Sequence, residues 1–141
     1  MPPTSPTRQR SFRLAQRTLE QLGARARERG ETANSLAARL IEEGLRTDRH
    51  PFIWFRDGAG GRRPALLGTR LDVAQIVAYL RANGGDVAEV AGLLAIPEHL
   101  VHAAASYDAE FADEIDAWLQ AESDYARGAE PARRTRRGPP R

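Results

Sequence analysis

Cysteine and lysine are absent from the 141 residues, methionine occurs once, and aromatic residues make up only 6% of the chain. Without cysteine there are no disulfides to staple a small domain and no thiolate metal ligands, and nothing asks for an oxidising compartment. No apolar run approaches the roughly 20 residues that span a bilayer. The opening MPPTSPTRQR lacks the apolar stretch of a secretory signal. These absences lead us to expect a cytoplasmic, nucleoid-associated protein with no membrane contact. A chain of this length holds one or two small cores, so dimerisation is a natural source of further stability.

What is present is arginine, and its distribution says more than the net charge of +2. Residues 1–49 carry ten arginines against six acids, residues 50–126 five against twelve, and residues 127–141 six against one. Basic ends suit phosphate contacts; the acidic middle would be repelled by DNA and suits a positively charged protein.

Both ends, residues 1–7 and 126–141, are rich in proline, glycine or arginine and are expected to be disordered. From Gln9 to Ala15 polarity alternates, Phe12 and Leu14 facing one way and Ser11 and Arg13 the other, as in a strand with one buried face. Gln16 to Arg29 then places Leu19, Leu22 and Ala26 at helical spacing, and Gly30 breaks the pattern. A second helix is expected from an N-cap at Thr32 through Leu36, Ala37, Leu40, Ile41 and Leu45, ending before residues 47–51. Its apolar face is too wide for one short helix pair. A lone strand with an orphan edge followed by such helices is completed by a twofold copy, so a homodimer is expected.

Further on, Phe52 to Phe55, the glycine-rich stretch Asp57 to Gly61, and Pro64 to Leu67 spell a hairpin with Pro64 on an edge strand. Helices are expected over Asp72 to Ala82, Asp86 to Ala95, Pro97 to about Ser106, and about Ala109 to Tyr125. Thr69 or Asp72 is placed to cap the first of them, with Arg70 pairing a nearby acid.

Phe12-Arg13-Leu14, then Gly30 to Ser35 and the apolar helix to Leu45, resemble the ribbon-helix-helix repressors related to Arc and MetJ, over residues 8–47. The resemblance implies that two strands pair antiparallel and lie in the DNA major groove. Ser11 and Arg13 would then read bases, with Gln9 or Ala15 at the ribbon ends. Arg13 is favoured because a guanidinium grips guanine O6 and N7 together. The resemblance also sets Thr32, Ala33 and Asn34, at the start of the second helix, against a DNA phosphate.

Gly61 to Arg70, followed by Leu71-Asp72-Val73 and a helix, resembles the small winged helix-turn-helix family catalogued as domain of unknown function 433, from about Phe52 to Leu119, within a partner-binding domain expected over residues 51–125. Its members look like antitoxins encoded beside PIN-like ribonucleases. The implied function is a type II antitoxin that binds operator DNA as a dimer, represses its own operon and neutralises a ribonuclease toxin. The alternative is a stand-alone ribbon-helix-helix regulator whose second domain oligomerises or binds a ligand. Asp108, Phe111, Glu114, Ile115 and Trp118 are the candidate toxin-binding residues, since an acidic stretch suits a basic RNA-binding groove. The helix from Pro97 holds Glu98 and two histidines and little positive charge, so it is not expected to read DNA.

Catalysis is not expected: there is no glycine-flanked nucleophile turn. His99 and His102 lack further ligands for a metal, and the glycines at 58–61 lack the lysine of a phosphate loop. No cofactor or metal is implied. The expected fold is α+β and mostly helical, a ribbon-helix-helix dimer followed by a small winged helix-turn-helix domain.

Overall fold

The computed structural model describes residues 5–134, the side chains of 129–134 excepted. The fold is α+β and mostly helical, with six helices and one two-stranded antiparallel sheet: α1 (Gln16–Arg29), α2 (Ala33–Arg49), β1 (Ile53–Gly58), β2 (Gly61–Leu66), α3 (Val73–Ala82), α4 (Val87–Leu94), α5 (Glu98–Glu110) and α6 (Ala112–Arg134). Among the described residues no single helix is long and apolar enough to cross a membrane.

The chain divides into two compact units, Met1–Glu42 and Glu43–Arg141. This differs from the boundary at residues 47–51 expected from the sequence. Helix α2 continues to Arg49 because its last turns are held within the second unit. There Glu43 accepts from Arg62, Arg46 donates to Tyr107 and Glu114, and Thr47 donates to the Ile53 carbonyl.

In the first unit, residues 5–15 form no regular element. The strand expected over Gln9 to Ala15 is therefore not formed in the single chain, for a physical reason. A strand exists through hydrogen bonds to a neighbour, and this segment has none. Helix α1 ends at Gly30, whose φ of +67° is the left-handed conformation that glycine adopts without penalty. Its N–H and that of Glu31 close the helix onto Arg27 and Ala26. Thr32 caps α2 as expected, its hydroxyl accepting from the Ser35 N–H at 3.1 Å.

The second unit is built on the β1–β2 hairpin, in which Ile53 pairs with Leu66, Phe55 with Pro64, and Gly58 with Gly61. Ala59 and Gly60 form its two-residue loop. A Cβ on Gly60 would stand 3.0 Å from the Arg63 guanidinium and 3.2 Å from the Trp118 ring, so a side chain here would require these two to shift by a few tenths of an ångström. Ile53 and Leu66 enter a core filled by Val73, Ile76, Val77 and Leu80 of α3, Val90 of α4, Leu100, Val101, Ala104 and Tyr107 of α5, and Ile115 of α6. On α3 these positions follow the i, i+3, i+4, i+7 spacing of one helical face.

Asp72 stands at the N-cap of α3, its N–H donating to Gln75 Oε1 at 2.9 Å. Thr69 does not cap α3; it ties the preceding turn, its hydroxyl donating to the Leu66 carbonyl and accepting from the Leu71 N–H. Asp86 caps α4 by accepting from the Glu89 N–H at 3.0 Å. Ala95, at φ +54°, ends α4, and α5 leaves at 117° to it. Helices α5 and α6 both outrun their expected ends, meeting at Phe111, and α6 runs through residues 126–134 where disorder was expected. Residues 1–4 and 135–141, the remainder of the expected disordered ends, lie outside the described residues.

Candidate nucleic-acid interface

Helix formation in the first unit buries very little. Among its described residues only Ala26 and Leu36 are fully buried, while Phe12, Leu14, Leu19, Leu40 and Ile41 are each roughly half exposed or more. Leu45, further along α2, is 68% exposed. Leaving this much apolar surface in water is unfavourable at about 25 cal/mol per Å², and a core of two residues cannot offset the entropy of ordering the segment.

The charges of the same unit separate into two groups. Glu31 is gripped by both terminal nitrogens of Arg39, each at 2.8 Å, and lies 3.3 Å from Arg29. Arg25 pairs with Glu28. In contrast, Arg8, Arg10, Arg13 and Arg17 enter no ion pair among the described residues, and all are exposed. No acid precedes Glu20 in the sequence, which is why they stay uncompensated. Four free guanidiniums within ten residues form a local positive field that attracts a polyanion.

Of the residues expected to contact DNA, Gln9, Ser11 and Arg13 lie exposed in the irregular segment. Thr32, Ala33 and Asn34 are exposed at the start of α2. Helix α2 has no acid in its first turn, and the acid just before it, Glu31, is neutralised. The positive end of the helix dipole is thus left to act on an external anion. Arg8, Arg10 and Arg17 were not singled out by sequence reasoning. The missing signal was the lack of any acid before residue 20, rather than a motif.

The second unit holds its charges differently. Asp72, 3% exposed, accepts from Arg56 Nε at 2.9 Å and from Arg63 at 3.0 Å, while Arg63 also lies 4.6 Å over the Trp118 ring. The sequence suggested Arg70 for pairing an acid here; the structure uses Arg56 and Arg63, and Arg70 supplies only its carbonyl, to Arg56. Arg62 is held by Glu43 and Asp57. Glu110 takes Arg49 and the buried His50, each at 2.8 Å.

The five candidate toxin-binding residues all have partners within the second unit; Ile115 is buried, and the other four are partly exposed. Ile115 is fully buried, and Phe111 packs 4.6 Å from the Tyr107 ring with Arg46 4.3 Å over it. Glu114 accepts from Arg46 and Tyr107, Asp108 lies 3.6 Å from Arg81, and Trp118 is covered by Arg63. Burial, then the Glu114 charge, raise the Tyr107 phenol pKa, and burial raises that of Asp108. His99 packs against Phe52 and His102 is exposed. Among the described residues no group of three or more histidines and acids is placed to hold a metal. Set against known protein families, curated proteins and solved structures, the chain matches none of them.

Proposed function

We propose that the chain is a dimeric DNA-binding regulator of the antitoxin kind, which represses its own operon and neutralises a ribonuclease partner. One observation carries the DNA-binding part. Four arginines without an acid partner, Arg8, Arg10, Arg13 and Arg17, sit on or beside the segment whose alternate side chains, Phe12 and Leu14, are apolar and uncovered.

Pairing two copies of residues 9–15 antiparallel would satisfy their backbone hydrogen bonds and turn Phe12 and Leu14 inward, onto the apolar faces of α1 and α2. The opposite face would then carry Gln9, Ser11 and Arg13 outward as a two-stranded ribbon, a shape the major groove admits. The starts of the two α2 helices would hold phosphates on either side and fix the register without reading sequence.

The second unit supports a protein-contact role. Helices α4 and α5 cross at 117°, and with the hairpin they have the parts of a winged helix-turn-helix. Yet neither helix contains an arginine, and the hairpin arginines 56, 62 and 63 are all held by acids. A surface of this kind gains nothing from a phosphate backbone.

The test is fluorescence anisotropy of the full chain with a labelled duplex from upstream of its own gene, against a scrambled duplex. Specific binding is expected to exceed the scrambled control by about 10³-fold or more. Arg13→Ala should cost about 1–3 kcal/mol on the specific duplex alone. Equal loss on both duplexes would remove Arg13 as a base reader, and no binding to either would remove the DNA reading. Comigration with the product of the adjacent reading frame supports the antitoxin role, whereas separate migration leaves a stand-alone regulator.

A further inference from the structure

On the hairpin face opposite Ile53 and Leu66, Ala65 is buried and Arg56 and Arg63 hold Asp72, but the base of the hairpin leaves large apolar side chains exposed. The Leu67 N–H donates to the Phe52 carbonyl at 2.8 Å, which extends the β1–β2 ladder by one pair. Phe52, Trp54 and Leu67 therefore share the sheet face opposite Ile53 and Leu66, because successive side chains alternate. Ile53 and Leu66 are fully buried, whereas Phe52, Trp54 and Leu67 are 43%, 41% and 53% exposed. His99 of α5 lies beside Phe52, with ring centroids 5.0 Å apart. Three large apolar side chains at the base of the hairpin, Trp54 on β1 and Phe52 and Leu67 just beyond the strand ends, form a patch that marks an interaction surface more often than scattered exposure does.

The rim of the patch identifies the occupant. Arg70 lies in the loop after Leu67, and its carbonyl accepts from Arg56, which places that loop along the same sheet face. Among the described residues of the second unit it is the one arginine in no ion pair. Glu98 precedes His99 at the start of α5 and is likewise exposed and unpaired. One free cation and one free anion thus border one apolar patch. That combination suits neither a nucleic acid nor a uniformly basic protein, but it suits a second copy docked about a twofold axis that passes between the two charges and so sets each against its opposite.

We infer that this face is a self-association surface, on which a second copy of the chain docks through Phe52, Trp54 and Leu67, with Arg70 of each copy against Glu98 of the other. The contact is separate from the ribbon dimer proposed above and does not rest on it. Where both form, two dimers are joined into an assembly of four chains.

Light scattering coupled to size-exclusion chromatography of the full chain tests this. Leu67→Glu should halve the mass of the wild-type assembly, while the circular dichroism spectrum stays unchanged because Leu67 lies outside the core. A halving from four chains to two leaves the ribbon dimer in place; a halving from two to one means that only the hairpin contact exists, and the ribbon reading fails. Arg70→Glu and Glu98→Arg should each weaken association about tenfold, since the pair occurs twice in a twofold contact. The double reversal should restore it to within about threefold. An unchanged mass for Leu67→Glu, or a double reversal no better than either single one, overturns the inference.

Discussion

Asp72 shows how much one carboxylate can organise. Buried at the start of α3, it receives two guanidiniums from the hairpin, Arg56 and Arg63. Removing it leaves Arg63, whose side chain is 18% exposed, without a counter-charge. Asp72→Ala is expected to destabilise the chain by about 2–4 kcal/mol, measured by urea unfolding. Tyr107 is fully buried, and its phenol pKa lies above the ordinary tyrosine value because burial and then Glu114 disfavour the phenolate. Folding therefore favours the protonated form: its contribution is complete below the unfolded pKa of about 10 and declines as pH rises beyond it. Unfolding curves should show that decline above pH 10, and Tyr107→Phe should flatten it. At the interface, each of Arg8→Ala, Arg10→Ala and Arg17→Ala should reduce the steepness of the log affinity against log salt plot by about 0.9 if that guanidinium meets a phosphate. The sequence made Asp72 and Thr32 legible as caps, because a cap needs only its own next three residues. It did not disclose that Arg56, 16 residues away, meets Asp72, or that Arg46 and Tyr107 meet across 61. Such pairs depend on how elements pack, to which local spacing is blind.

At the scale of elements, helices announced themselves by apolar spacing, and their starts by Thr32, Asp72 and Asp86. Their ends were less legible. Helix α2 was expected to stop before residue 47, yet no proline or glycine intervenes until Pro51, and Arg46 and Thr47 find partners that carry the helix to Arg49. The break at Phe111 likewise follows from packing, with that ring set against Tyr107, His50 and Arg46. The segment over residues 9–15 is the opposite case, since its alternation is plain in the sequence while the single chain offers it no neighbouring strand to pair with. The hairpin turn gives a sharper test of local geometry. Gly60→Ala pushes a methyl group against Arg63 and Trp118, and should cost about 1–3 kcal/mol in thermal or urea unfolding.

At the scale of the whole molecule, the two units differ in how they are stabilised. The second has a core drawn from the hairpin and four helices, whereas the first buries only Ala26 and Leu36 completely. Stability of the first unit should therefore depend on protein concentration, as for any fold completed by association. Leu40→Glu, at a position 47% exposed in the single chain, should abolish both the ribbon dimer and DNA binding, as read by light scattering and anisotropy. The near-native near-ultraviolet signal of Trp54 and Trp118 should persist. Pro64 has a consequence for the chain in a crowded solution. It faces Phe55, in a pair whose backbone groups point away from the ladder, so its missing N–H costs the hairpin nothing. The neighbouring outward N–H, that of Leu66, is already taken by the Leu71 carbonyl. The free margin of β2 therefore offers an incoming strand almost no donors, and it resists the runaway strand addition that leads to fibrils.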